Sequence, residues 1–385
     1  MTEARPKDPK EKADTGEILK KILEKNDCAK LFDQLVSLKG EDLQTILIAL
    51  SEVRASKLKP NDILRHAMES RFIETSPVSQ KDLILFDADA INVLPKEFEA
   101  IQLSPLGPLG TNAVLAGLNQ KTMVTTARNS EVLGDASPML AIEYAKRRKS
   151  GKEGQVDLFT SQRVVRAQNF SVKGFTPHFQ ALFAFSADKF LGRWELLEEF
   201  LEKHISYYLD LIKKANQSGR YEARNVKVSI SNLMIMEALI EFYGINREEL
   251  MLNTQTREFN VFKHYGIDLA NNLNMVKEVS DDNLKRFGIE KAYKFLIRNC
   301  SMMISGLMNK YPEVSFDYGF NRIAGIGYYD HLCIKISAEN EDNEIYPLAD
   351  GGFVYWTRQL VQSDQEVCLT SGFGSELFIN KFKKK

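Results

Sequence analysis

The chain has 385 residues, with 51 Lys and Arg against 52 Asp and Glu, and a net charge of -1. Its hydrophobic fraction is 44%, including 23 Phe and 13 Tyr, enough to bury two or three packed units and to exclude disorder over most of its length. The near-neutral balance argues against broad, sequence-independent nucleic-acid binding, and no apolar run approaches the roughly 18 residues of a membrane span.

Residues 1–13 are polar, rich in Lys, Glu and Pro, and read as a flexible tail with no apolar stretch of a secretory signal. Asp14 and Glu17 predict a capping box, followed by Ile18, Leu19, Ile22 and Leu23 at helical spacing. Further helices are predicted at 41–56, with Leu43, Ile46, Leu47, Leu50 and Val53, and from Asn61 through Ala67. Residues 14–80 therefore read as a helical N-terminal unit that leans on the rest of the chain or on a partner.

From residue 81 the character changes, and 81–385 read as the core. Strands are predicted at Ala100–Leu103, Thr122–Thr126, Val156–Leu158, Arg163–Ala167, Phe179–Phe185 and Asn225–Ser229. Later ones are predicted at Ile323–Tyr329, Cys333–Ser337, Gly352–Tyr355 and Glu366–Leu369. Helices are predicted at Ser137–Arg148, Leu191–Asn216, Asn232–Phe242 and Asp281–Met308, with a last one from Ser375. The stretch 232–315 reads as a helical insertion. Strands that come in adjacent pairs, with helices grouped elsewhere, imply an α+β fold with a largely antiparallel sheet backed by helices.

Cys28, Cys300, Cys333 and Cys368 lie far apart and read as reduced thiols of a cytosolic protein. His66, His178, His204, His264 and His331 have no metal-binding spacing, so no metal site is expected. The zinc-protease, phosphate-loop and nucleophile-elbow patterns are all missing, and no cofactor is assigned. Ser186 and Lys189 match the spacing of a serine–lysine acylase without its partner motifs, a coincidence.

Four stretches carry more chemistry than composition requires. Arg128, Glu131 and Asp135 lie between a strand and a helix, where Glu131 or Asp135 could hold a substrate amine; the plainer reading has Asp135 and Ser137 capping the helix while Arg128 faces water. Strand alternation puts Val164, Arg166 and Gln168 on one face, and an arginine there needs an anionic ligand or an internal acid. Gly325 and Gly327 let the chain pass close to another group, and Tyr328 and Tyr329 point to opposite faces. Gly351-Gly352-Phe353 and Gly372-Phe373-Gly374 are glycine-rich segments, the second leading from a strand into a helix.

In order, these stretches resemble the catalytic domain of histidyl-tRNA synthetase and its relative, the regulatory subunit of ATP phosphoribosyltransferase. The resemblance covers about residues 85–382 and implies the class II aminoacyl-tRNA synthetase fold. Asp135-Ala136-Ser137-Pro138 resembles the stretch whose acid receives the amino acid's ammonium. Arg166-Ala167-Gln168 falls where motif 2 has Arg-x-Glu, whose arginine grips the ATP α-phosphate, and Phe179 resembles the aromatic of the returning strand. Ala324-Gly325-Ile326-Gly327-Tyr328-Tyr329 resembles the histidine-specific motif, and Gly372 to Leu377 resembles motif 3.

Against that pattern, Ala324 and Phe353 replace arginines, Gly327 an aspartate, Gln168 a glutamate, and Glu376 stands for the motif 3 arginine. Ala181 and Phe185 fall where a glutamine and a glutamate line the pocket. The resemblance with these departures implies a synthetase-like protein that does not charge tRNA, with a pocket for another small molecule or a regulatory role with a protein partner. The alternative is ATP-dependent activation of an unusual amino or carboxylic acid. The expected ligand-binding set is Arg128, Glu131, Asp135, Arg166, Gln168, Phe179, Tyr328, Tyr329 and Phe353, with a pocket less polar than one for histidine. No catalytic residue is assigned. A homodimer is expected, no anticodon-binding domain is expected after motif 3, and neither tRNA nor a membrane is an expected partner.

Overall fold

The structure is a computed structural model and describes residues 15–167, 176–247, 249–250, 259–274 and 279–384. Gln168 and Asp14 lie outside these residues. The chain divides into two compact units, one reaching to His66 and taking in Thr126–Asn129, the other holding Ala67–Thr125 and Ser130 onward.

The first unit is built of α1 (Thr15–Lys25), α2 (Ala29–Ser37), α3 (Gly40–Ala55) and the start of α4 (Pro60–Glu69). Helix α2 was not foreseen from the sequence: it is nine residues long and has no side-chain cap. None of the described residues of α1–α4 is fully buried. Within the unit, the Asn129 amide donates to the Gly40 carbonyl at 3.0 Å.

The second unit opens with α5 (Gln80–Asn92), capped by the Ser79 hydroxyl accepting from the Asp82 N–H. Its strands are β1 (Phe98–Ala100), β2 (Leu106–Pro108), β3 (Val124–Thr125), β4 (Ser130–Val132), β5 (Val156–Val165), β6 (His178–Lys189), β7 (Arg224–Asn232), β8 (Asn272–Asn274), β9 (Ser315–Gly319), β10 (Leu332–Glu339), β11 (Ile345–Val354) and β12 (Glu366–Phe373). The remaining helices are α6 (Ser137–Lys149), α7 (Glu195–Gln217), α8 (Leu233–Phe242), α9 (Val261–Tyr265), α10 (Asp281–Arg286), α11 (Glu290–Lys310), α12 (Trp356–Val361) and α13 (Ser375–Phe382).

Among the described residues, nine strands form one sheet in the order β1-β5-β6-β12-β11-β10-β7-β9-β8. The central pairs are antiparallel; β1 with β5 and β7 with β9 are parallel. A small sheet, β2-β4-β3, stands apart. The α+β arrangement expected from strand pairing is the one observed.

Three local expectations are corrected. The two short strands at 156–158 and 163–167 are one ten-residue strand, because Thr160 and Gln162, polar as they are, continue the buried ladder. The helix predicted over 281–308 is two, broken at Gly288, whose φ of +67° ends α10. Ile323–Tyr329 is not a strand: Gly325 and Gly327, at φ of +97° and +80°, fold it into tight turns, with the Tyr328 and Tyr329 N–H groups both reaching the Gly325 carbonyl.

One face of the sheet is covered by α5, α7, α11 and α13, with Phe86, Phe200, Tyr207, Tyr208 and Phe378 in the core. A buried hydrogen-bond chain ties α7 to this face, His204 meeting Ser186 through Nε2 at 2.9 Å and Ser371 through Nδ1 at 2.7 Å. Burial pushes the His204 pKa down to about 3, so the ring stays neutral. Ser186 is therefore a core partner of His204. The opposite face carries α6 and α12 over Phe185, Leu158 and Cys368, and leaves a stretch of sheet open beside them. No helix among the described residues is long and apolar enough to cross a membrane.

Candidate functional site

The open stretch of sheet is the floor of a cavity of about 700 Å³. Directly opposite residues of an antiparallel pair share a face. Register therefore aligns Phe183 of β6, Gly372 of β12 and Asp350 of β11 in one row on the cavity floor, a row that Lys335 of β10 continues beyond the cavity's lining. Gly372 contributes no side chain, and this keeps the floor open between Phe183 and Asp350. Ser371 and Gly351 fall in the next row and face α7 instead, consistent with the Ser371 hydroxyl meeting His204 and Tyr208.

Asp135 and Arg166 stand at one end. The Asp135 carboxylate accepts from the Ser137 N–H at 2.9 Å, which fixes it at the start of α6, and from the Tyr328 hydroxyl at 2.9 Å. Arg166, just past the end of β5, donates Nε to the Gly134 carbonyl at 2.7 Å and brings Nη2 to 3.9 Å from Asp135. Its guanidinium lies 5.6 Å from the centre of the Phe179 ring, a cation–π distance. Asp135 thus bonds the first N–H of α6 and also lines the cavity with its carboxylate.

At the other end, Tyr329 donates to Asp350 at 2.6 Å, and Arg322 places Nη2 2.8 Å from both Asp350 oxygens. Arg322 also donates to the Ala324 and Ile334 carbonyls, at 2.9 Å each, so its position is set by three acceptor groups. The Tyr329 ring is wedged between two glycines. A Cβ on Gly352 would come within 2.7 Å of it, and one on Gly325 within 2.4 Å. This is the close approach those glycines serve. The tyrosine rings meet edge to face at 4.8 Å, and burial holds both phenols well above their ordinary pKa, so both stay protonated as donors.

Of the expected set, the structure brings Asp135, Arg166, Phe179, Tyr328 and Tyr329 to this cavity. Glu131 is elsewhere: its carboxylate accepts from the Gly110 and Asn112 N–H groups and from the Asn112 and Gln120 amides. Burial alone would raise its pKa, but these four donors outweigh it and hold the acid below its usual range. Arg128 is an exposed residue of the first unit. Phe353 is buried under 2% exposed and packs on His331 with ring centres 5.0 Å apart. Phe185 likewise packs on Tyr144; of the five residues behind the apolar expectation, Ala181, Ala324 and Gly327 line the cavity, and Phe353 and Phe185 do not. The cavity's charged lining comes from Asp135, Arg166 and Asp350, beside the two tyrosines and a largely apolar remainder that includes Leu118, Phe183 and Ile326.

Glu376 differs from its expected place as well. The carboxylate turns to the helix-covered face, accepting from Arg163 Nη2 at 2.9 Å, from the Gln180 N–H at 2.8 Å and from the Ser76 hydroxyl. Arg163, on the strand face opposite Arg166, is thus the arginine satisfied by an internal acid. Sequence reading missed Arg322 and Asp350. The available signal was a charged residue immediately before Gly351-Gly352, in a strand whose small residues leave space on one face.

Solved structures with the same arrangement are known. A histidine–tRNA ligase subunit from Alicyclobacillus acidocaldarius superposes with a TM-score of 0.59 at 13% identity, covering 80% of this chain and 94% of that one. An ATP phosphoribosyltransferase regulatory subunit/histidyl-tRNA synthetase from Bacillus halodurans gives 0.57 at 12%, covering 81% and 82%. The chain has the class II synthetase-like fold. Histidyl-tRNA synthetase from a Nostoc species gives 0.57 at 12% identity, over 80% of this chain and 73% of that one. No family model and no curated protein matches the sequence. At this identity the likeness defines the synthetase-like architecture, and the chemistry has to be argued from the cavity.

Proposed function

We propose that this chain is a synthetase-like binding protein that does not charge tRNA, acting in the cytosol, with its cavity taking a small zwitterionic molecule and reporting occupancy to a partner. The observation that carries this reading is the charge inventory of the lining. Among the described residues that line the cavity, Arg166 is the one cation, facing Asp135 across 3.9 Å. Its Nη groups suit a ligand carboxylate, and Asp135 suits an ammonium. Adenylate formation builds negative charge on a phosphate, and a site that promotes it places several donors around that charge. Arg322 is spent on Asp350, and Arg163 on Glu376.

The alternative, ATP-dependent activation of an unusual acid, has Arg166 in its favour. It loses Glu131, whose carboxylate is occupied by four donors. Thermal-shift screening against amino acids and ATP, followed by pyrophosphate exchange, separates the two. Stabilisation by an amino acid without exchange supports a binding protein; amino-acid-dependent exchange overturns it in favour of activation.

A homodimer of the second unit is part of the proposal. Ile84, Leu85 and Ile91 of α5, Leu106 of β2 and Leu109 just after it are exposed apolar side chains of that unit. Covering such surface against a second copy is the common solution. A monomeric mass at micromolar concentration would count against it.

A further inference from the structure

The first unit is where the molecule departs most from what a folded chain normally tolerates. Eleven large apolar side chains of α1–α4 up to Leu64 are more than a third exposed: Ile18, Leu19, Ile22, Leu31, Phe32, Val36, Ile46, Leu50, Val53, Ile63 and Leu64. They are not scattered. Ile18 and Ile22 lie four apart on α1, Phe32 and Val36 four apart on α2, and Ile46, Leu50 and Val53 repeat at four and three on α3. Each set is a stripe on one helix face, the pattern of a contact surface.

We infer that this unit is a self-association module, its apolar stripes covered by the same unit of a second copy, separately from any pairing through the second unit. Three observations select that occupant. The first is area: eleven side chains at roughly half exposure present on the order of 900 Å² of apolar surface, close to the ~800 Å² per partner of a standard stable interface. The second is charge. Between Thr15 and His66 there are nine basic residues (Lys20, Lys21, Lys25, Lys30, Lys39, Arg54, Lys57, Lys59, Arg65). Against them stand eight acidic ones (Glu17, Glu24, Asp27, Asp33, Glu41, Asp42, Glu52, Asp62). A second copy therefore meets no net repulsion, whereas an anionic lipid surface or a nucleic acid would call for a basic excess. The third is chemistry: amphipathic helices joined by short links pack on like helices as bundles, and an isologous contact needs only one surface to be self-complementary.

Cys28, between α1 and α2, makes the test direct, because it is the one cysteine of the four that is not buried. The full-length chain is spin-labelled at Cys28 and the distance between labels is measured by pulsed electron resonance, alongside mass in solution. The expected result is a well-defined distance of a few nanometres between the two copies, at a mass of two chains or a multiple. The paired change Ile46→Glu with Leu50→Lys, neutral in charge, should abolish that distance peak and raise the dissociation constant at least tenfold. Circular dichroism reports whether the variant's helices survive. If they melt, the milder Leu50→Ser is used, with a weakened peak as its expected reading. A dimer that keeps its mass with no defined Cys28–Cys28 distance, or whose peak is unchanged by the substitutions, overturns the inference while leaving a dimer of the second unit standing. A monomer whose α3 amides are as protected from hydrogen exchange as the sheet also overturns it, since its own chain then covers the stripes. Amino-acid binding in the same samples reports on the cavity independently.

Discussion

Replacing Arg166 with Ala isolates the cationic end of the cavity. Among the described residues the Arg166 side chain makes one hydrogen bond, Nε to the Gly134 carbonyl, approaches Asp135 at 3.9 Å, and lies over Phe179. Its side chain is 32% exposed. The hydrogen bond contributes about 1 kcal/mol and the ring contact about 0.5–1 kcal/mol, while an ion pair this long and this open to solvent adds little. Arg166→Ala should therefore cost about 1.5–2 kcal/mol of stability. Donation from its free Nη groups to a ligand carboxylate would be worth about 1.5–3 kcal/mol, so affinity for the best amino-acid ligand should fall about 10- to 150-fold. Chemical denaturation and calorimetric titration of the same protein read both quantities. Arg166→Lys should keep the stability near that of the Ala variant and recover only part of the affinity, because an ammonium cannot reproduce the planar fork. A stability loss of about 4 kcal/mol or more with unchanged ligand affinity would refute this reasoning and make Arg166 a structural partner of Asp135.

Glu376→Ala should be more damaging than Arg166→Ala, costing about 2–4 kcal/mol, because the Gln180 N–H and the Ser76 hydroxyl lose their acceptor at a 4%-exposed position while Arg163, a third exposed, still meets His178; urea melts of the two variants give the comparison. Gly352→Ala puts a methyl 2.7 Å from the Tyr329 ring and 2.8 Å from Cys333 Cβ, and should cost about 1–3 kcal/mol with a larger loss of ligand binding, as Tyr329 is displaced. Glu131 has its folded pKa held below the ordinary 4.5, so its stabilisation is present above that pH and lost as pH falls through the folded value. Glu131→Gln should flatten the acid arm of the stability curve below about pH 4.5; an unchanged arm in acid titrations would show that the four donors do not favour the carboxylate.

Periodicity in the sequence was enough for the architecture. Strand pairs with short links and grouped helices implied the antiparallel sheet, and the ordered stretches around Asp135, Arg166, Tyr328 and Gly372 implied the synthetase-like fold, because such signals lie in neighbouring residues. Arg166 and Arg163 were separable too, since alternation along β5 sends them to opposite faces. What alternation cannot supply is the partner across the sheet. Glu376 reads as a carboxylate in a cavity until β5, β6 and α13 come together and Arg163 claims it. Phe353 and Phe185 read as cavity walls until their rings turn onto His331 and Tyr144. Asp350 becomes part of the site only through its register with Gly372 and the arrival of Arg322 from a turn 28 residues away. Charge pairing and cavity volume depend on contacts between segments distant in the chain, and those contacts exist only once the strands are in register.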